Sequence, residues 1–327
     1  MHKQRRFAVL AAAVVAAALT ACSTPASTGD GDEDSAGAQR VAFVTGMINE
    51  PFYVLMQQGA EAKAEELGID LDYQGATVWD PSAQIPIFDS VRATDPDFLI
   101  AIPVEKTALL SAIQAYGDAG IPVITVDTDL EDTSARLTNI TSDNYEGGVA
   151  AAQELAKVVD EKGKVAILCY QPGITVNDLR LQGFEDEIAK HPDIEYVGPQ
   201  LMQGADPNES IRYFDAVLQA HPDIAGVVTC ADVATTGVVA SLKEKGLVGD
   251  VKLVGFDADE DLYAAVREGV VSGLVVQQTM AMGAASVQWA YDYLNGDNPS
   301  TDDLKFPFVP VDADNVDTEE ALALIGK

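Results

Sequence analysis

Rings and acids gather at the ends of short apolar runs. After "VAFVT" come Asn49, Glu50, Phe52 and Tyr53, in "NEPFY". Trp79 follows the run "IDLDY". Asp127 and Thr128 close "PVITVDT", Tyr170 closes "KVAILCY", and Arg180 lies ten residues beyond it. Asp232 follows "GVVTC", Asp257 ends "VKLVGFD" and Gln277 ends "GLVVQ". Aromatic faces stack on apolar C–H surface. Carboxylates, amides and a guanidinium make paired hydrogen bonds to vicinal hydroxyls. Together they suit a polyhydroxylated small molecule.

Such a set works only if one end of a sheet gathers it. From Val41 onward, nine apolar runs alternate with stretches of helical spacing such as "YVLMQQGAEAKAEEL". The runs are nearly continuous, as in parallel strands buried on both faces. "DPDF" and two copies of "HPDI" each precede a run. Their prolines stop a helix and favour extended backbone, so the two histidines are expected to be exposed loop residues. The expected fold class is α/β, with two doubly wound parallel-sheet lobes joined by a hinge and a cleft between them. Ligands of open α/β sheets bind beyond the carboxyl ends of the strands. The expected N-terminal lobe is 40–142 plus 278–306, and the C-terminal lobe 143–277 plus 307–327. Asp143 or Asn144 is expected to cap the helix at the break.

Several of these residues carry a second reading. Phe52 and Tyr53 can both face the cleft, or one can enter the core. Asp232 suits a helix N-cap, and Asp127 and Asp257 suit turns. Trp79 can cover an edge of the N-terminal lobe. Arg180 can pair with Asp178 or Glu185 on its own helix, a surface contact worth little. Cys169 and Cys230 fit a free core thiol better than a disulfide, although an oxidising compartment permits one.

The chain has 327 residues, enough for two lobes, and carries 52 acidic against 20 basic residues. Such a charge repels phosphate backbones, so nucleic acid is not an expected partner. No Cys–His metal spacing, phosphate loop or nucleophile turn occurs in the sequence, and no cofactor is expected. "HKQRR" followed by Phe7–Leu19 reads as a leader over 1–21, and its 13 apolar residues fall short of the ~20 a membrane span needs. "LTAC" resembles a bacterial lipoprotein box, which implies lipidation of Cys22 and anchoring outside the cell membrane. Residues 22–39 are small and polar and read as a flexible tether.

From Arg40 to about Val311 the chain resembles the ribose-type periplasmic binding proteins, the sugar receptors of bacterial ABC importers. The resemblance is carried by "NEPFY", "IPVITVDT", "SDNYEGG", "RLQGF", "AHPDIAGVV" and "VGFDADED", in family order. It implies a monomeric, non-enzymatic receptor that closes on its ligand and presents it to permease subunits. It implies sugar contacts at Phe52, Tyr53, Asp127, Arg180, Asp257 and Gln277. Four positions depart from the ribose pattern. Glu50 replaces an Asn, Thr128 an Arg, Ala205 an aromatic and Ala231 an Asn. These changes point away from ribose and toward a polyol or another small sugar, with Trp79 and Tyr170 placed to supply stacking. A sugar-responsive repressor is opposed by the lipoprotein box and by the lack of a basic helix-turn-helix. A secreted glycosidase would need a partnered carboxylate pair. A signalling receptor for another hydroxylated ligand stays open.

Overall fold

The computed structural model describes residues 38–327. Cys22, the leader and nearly all of the tether lie outside the described residues.

The first half of the chain builds β1 (Arg40–Met47), α1 (Pro51–Leu67), β2 (Asp70–Ala76), α2 (Pro81–Arg92), β3 (Phe98–Ala101), α3 (Leu110–Asp118), β4 (Val123–Val126) and β5 (Asn139–Ser142). The second builds α4 (Asn144–Val158), β6 (Gly163–Tyr170), α5 (Thr175–Ile188), β7 (Ile194–Met202), α6 (Pro207–Ala220), β8 (Ile224–Thr229), α7 (Asp232–Lys245), β9 (Lys252–Phe256), α8 (Glu260–Arg267) and β10 (Gly273–Val276). The tail adds α9 (Thr279–Leu294), β11 (Leu304–Phe306), β12 (Val309–Val311) and α10 (Glu319–Leu324). All nine apolar runs are strands.

One sheet has the order β11-β5-β4-β3-β1-β2 and the other β12-β10-β9-β8-β6-β7. The two orders coincide when the second half is counted from β6, so each lobe repeats one plan. Pairing is parallel except at the edge strand β12, which runs antiparallel to β10. A single antiparallel edge strand on an otherwise parallel sheet is common. The chain passes between the sheets after β5, after β10 and between β11 and β12. β3, β4, β5 and β10 are buried at every position, as strands covered on both faces must be.

Local chemistry sets the helix that follows β1. Pro51 opens α1, the Glu50 carboxylate accepts the Tyr53 N–H at 3.3 Å, and Gly68 ends the helix in left-handed backbone (φ 71°). Asp143 stands at the N-cap of α4 but makes no side-chain capping bond. Asn144 does not cap either. Its amide donates to Thr141 Oγ1 and the Ser142 carbonyl, and its Oδ1 accepts from Arg180. The two HPDI histidines are half-buried rather than exposed, and His191 packs its Nδ1 against Glu161.

Cys169 and Cys230 differ from the expected free thiols. Cys169 is the penultimate residue of β6 and Cys230 follows directly on the neighbouring β8; their Cα atoms are 5.0 Å apart and they are joined as a disulfide.

Candidate ligand-binding site

A cavity of about 260 Å3 lies where the carboxyl ends of the two sheets face each other. That is just under the ~300–1,000 Å3 of drug-sized pockets and suits a guest of monosaccharide size. Glu50, Phe52, Tyr53, Trp79, Asp127, Thr128, Tyr170, Arg180, Asp232, Asp257 and Gln277 all line it. Asn49 does not. It is exposed in the turn before α1, where Glu50 takes the inward position as the cap.

The rings come from the first lobe. Phe52 and Tyr53 are both buried and both reach the cavity, their centroids 5.0 Å apart and edge to face. Trp79 stacks on Tyr53 at 6.0 Å with planes 15° apart. Tyr170, at the end of β6, brings a fourth ring from the other side.

Asp127 and Asp257 occupy equivalent places in the two lobes. Each follows the fourth strand of its half, with φ at 62° and 66°. Their backbone N–H groups donate to the carbonyls of Ile140 (2.8 Å) and Val275 (3.1 Å) in the adjacent strand. Left-handed backbone is tolerated by Asp better than by most residues, yet still strained, and such strain concentrates at functional sites. Asp127 accepts from the Tyr53 hydroxyl at 3.0 Å, and Asp257 from the Gln277 amide at 2.6 Å. Ser142 donates to the Gln277 carbonyl oxygen at 2.7 Å, so the Gln277 amide is held from both ends.

Arg180 is the cation among these residues. It is buried, donates from Nε to Asn144 Oδ1 (2.8 Å) and from Nη1 to the Cys230 carbonyl (2.7 Å), and lies over the Phe256 ring at 4.5 Å. Its Nη1 is 3.9 Å from Asp257. The alternative surface pairs are not made. Asp178 faces Lys106 at 3.6 Å, and Glu185 accepts from Tyr196. Glycines on both helices let α5 approach α4, because a Cβ at Gly183 would run into the Tyr145 carbonyl and one at Gly148 into the Arg180 carbonyl.

Asp232 is the first residue of α7, one place inside the cap position held by Ala231, and its Oδ1 accepts the Val233 N–H at 2.6 Å. Thr128 donates its hydroxyl to the Pro103 carbonyl at 2.7 Å, so it shapes the wall with that donor already engaged. Burial pushes the Asp127 carboxyl up to about 6, against the pull of Arg180. Burial also raises Asp257, to about 7. Glu50 is raised well above the usual range by burial first and by the Asp232 charge second.

Other lining residues were missed by the sequence reading. Glu105 lies just past β3 and Gln203 just past β7, two strand ends that the same rule would have picked. Asn177 lies one turn before Arg180 on α5, a spacing that puts both on one helix face. Among the described residues no group of His, Cys, Asp and Glu side chains is arranged to hold a metal ion.

Residues 41–298 match the periplasmic binding protein domain family. The chain belongs to this family. Among its relatives is the ribose import binding protein of Bacillus subtilis, 28% identical over 285 residues, 85% of this chain and 90% of that protein. A xylitol-binding protein of Mycolicibacterium smegmatis is 27% identical over 310 residues, 95% and 86% of the two chains. A solved ABC-transporter solute-binding protein from Agrobacterium vitis, bound with α-D-tagatopyranose, superposes with a TM-score of 0.85 at 32% identity, covering 88% of this chain and 99% of that one. This periplasmic binding protein is of the ribose type, an extracytoplasmic solute-binding protein of ABC sugar import and a receptor rather than an enzyme.

Proposed function

We propose that this periplasmic binding protein captures a small neutral sugar or polyol by closing its two lobes on it, and presents the closed form to permease subunits. It acts as a monomer held at the outer face of the cell membrane by lipid on Cys22. The observation that carries the ligand class is the convergence on one cavity of three rings from one lobe with the matched Asp127 and Asp257 from both. Rings suit the C–H faces of a sugar, and the acids suit its hydroxyls.

The pocket is rich in acceptors. Five carboxyl groups, of Glu50, Glu105, Asp127, Asp232 and Asp257, line the cavity with a single guanidinium, and Thr128 stands where an arginine would add donors. This balance favours ligands with many hydroxyl donors, so polyols and hydroxyl-rich sugars should bind more tightly than ribose or sugar acids. A thermal-shift screen over pentoses, hexoses, polyols and sugar acids tests it. A ligand at a hundred times its Kd stabilises by about 2.7 kcal/mol. Strongest stabilisation by ribose or by a sugar acid would overturn the selectivity. No stabilisation by any of them would overturn the ligand class.

A further inference from the structure

Two carboxyl groups meet across the cleft. Glu50 comes from one lobe as the cap of α1, and Asp232 from the other as the first residue of α7. Both are buried, 8% and 7% exposed, and lie within hydrogen-bonding reach of each other. Each already holds one backbone N–H, Glu50 Oε2 from Tyr53 and Asp232 Oδ1 from Val233. Glu50 Oε1 is buried and meets no donor among the described residues. Arg180 makes no hydrogen bond or ion pair to either carboxyl: Nε and Nη1 donate to Asn144 and the Cys230 carbonyl, and its charge lies beside Asp257. The other titratable groups around the pair are Asp257, Asp259 and Tyr170 from the second lobe, and Tyr53 and Tyr73 from the first. None of these is a cation.

Two ionised carboxylates in that position would repel. A carboxylic acid donating to a carboxylate removes the repulsion and gives the unpartnered Glu50 oxygen a partner. We propose that Glu50 and Asp232 share one proton in the closed cleft, so that an acid–carboxylate hydrogen bond latches the lobes and ligand capture takes up a proton. This rests on the sugar-receptor reading above and adds a specificity role for Glu50, which holds its partner as a neutral acid. With the lobes apart, Glu50 returns to water and to the ordinary carboxylate range. Closure raises its proton affinity through burial and through Asp232. The closed form therefore holds a proton that the open form lacks between those two values. Affinity is highest on the acid side and falls as pH rises through the closed-form value, by at most about tenfold per pH unit.

The test is calorimetry with the tightest binder among xylitol, D-tagatose, D-arabinose and myo-inositol. It is run from about pH 5.5 to 8.5 in paired buffers of different ionisation enthalpy. Wild type is expected to take up protons on binding, by at most one from this pair, with Kd rising with pH. Glu50→Gln supplies an N–H donor that does not titrate and is expected to lose both the uptake and the pH slope, whatever its affinity. Asp232→Asn should lose them equally, which covers the case of one variant failing to fold. Wild-type binding without proton uptake overturns the latch. Uptake that persists in both variants moves the proton to Asp257 and overturns it too. Tighter binding of D-glucosamine than of D-glucose, with no uptake, would put a ligand ammonium where the proton is placed. Binding of none of the four at any pH overturns the sugar-receptor reading, and the latch with it.

Discussion

Asp257 sits in left-handed backbone with its carboxyl between the Gln277 amide and Arg180. A sugar hydroxyl pair there would meet a charged acceptor in a largely enclosed site. Losing such a partner costs ~1.5–3 kcal/mol, or about one to two decades of affinity. Asp257→Ala is expected to lose that much by calorimetry while still folding, with a lower melting temperature because Ala tolerates the left-handed backbone less well than Asp. Unchanged affinity in a folded variant would make Asp257 a turn residue. Asp127 gives a pH test. Its carboxyl titrates at about 6 when folded, against ~3.9 in an unfolded chain. The folded state therefore binds more protons between those values, and stability from this group is lost as pH rises across roughly 4 to 6. Asp127→Asn should flatten melting temperature against pH in that window, and an unaltered profile would contradict the burial argument. The strand-end rule found most of this chemistry because acids and rings stand out after apolar runs. It could not find that Asn49 turns outward, since one turn residue looks like another until the turn is built.

At the scale of elements, the site depends on the packing of α5 on α4 as much as on strand ends. α5 lies against α4 where Gly148 and Gly183 let the backbones approach, and this contact holds Arg180 under the cavity. A methyl at Gly183 would meet the Tyr145 carbonyl, which cannot move without shifting α4. Overpacking of this kind costs ~1–3 kcal/mol. Gly183→Ala is expected to unfold at lower denaturant by that amount and to weaken ligand binding by displacing Arg180. A variant as stable and as tight-binding as wild type would show that the helices can slide apart freely. β5 was not legible for a related reason. "NITS" is four residues, three of them polar, and carries no apolar run. Its side chains are tied mainly through the tertiary structure: Thr141 donates to the Asp127 carbonyl at 2.8 Å and Ser142 donates to Gln277, while the buried Asn139 Oδ1 meets no donor among the described residues.

For the whole molecule, the closed cleft is bridged away from the ligand residues as well. Thr175 accepts from the Asp129 N–H at 3.1 Å, and Lys106 faces Asp178 at 3.6 Å. These contacts are rim-exposed or single, so they suit a closure that ligand completes and release reverses. The anchoring proposal belongs to this scale too. Cys22→Ala is expected to release the protein from membranes with ligand binding intact, because eighteen or so residues of polar tether separate the anchor from the first strand. A variant that stays with the membrane after a high-salt wash would remove the lipid anchor from the reading.

The sequence by itself determined the α/β class, the nine main strands and the kinds of residue at their ends. Those signals are local: apolar runs buried on both faces, proline punctuation, and acids or rings just beyond a run. The order of the strands, the repeated plan of the two lobes and the short strands β5, β11 and β12 came only with the fold, because pairing joins segments far apart in the chain. The Cys169–Cys230 disulfide spans 61 residues and follows from β6 lying beside β8. The meeting of Glu50 with Asp232 spans both lobes and depends on cleft closure, which places two like charges where no local preference would put them.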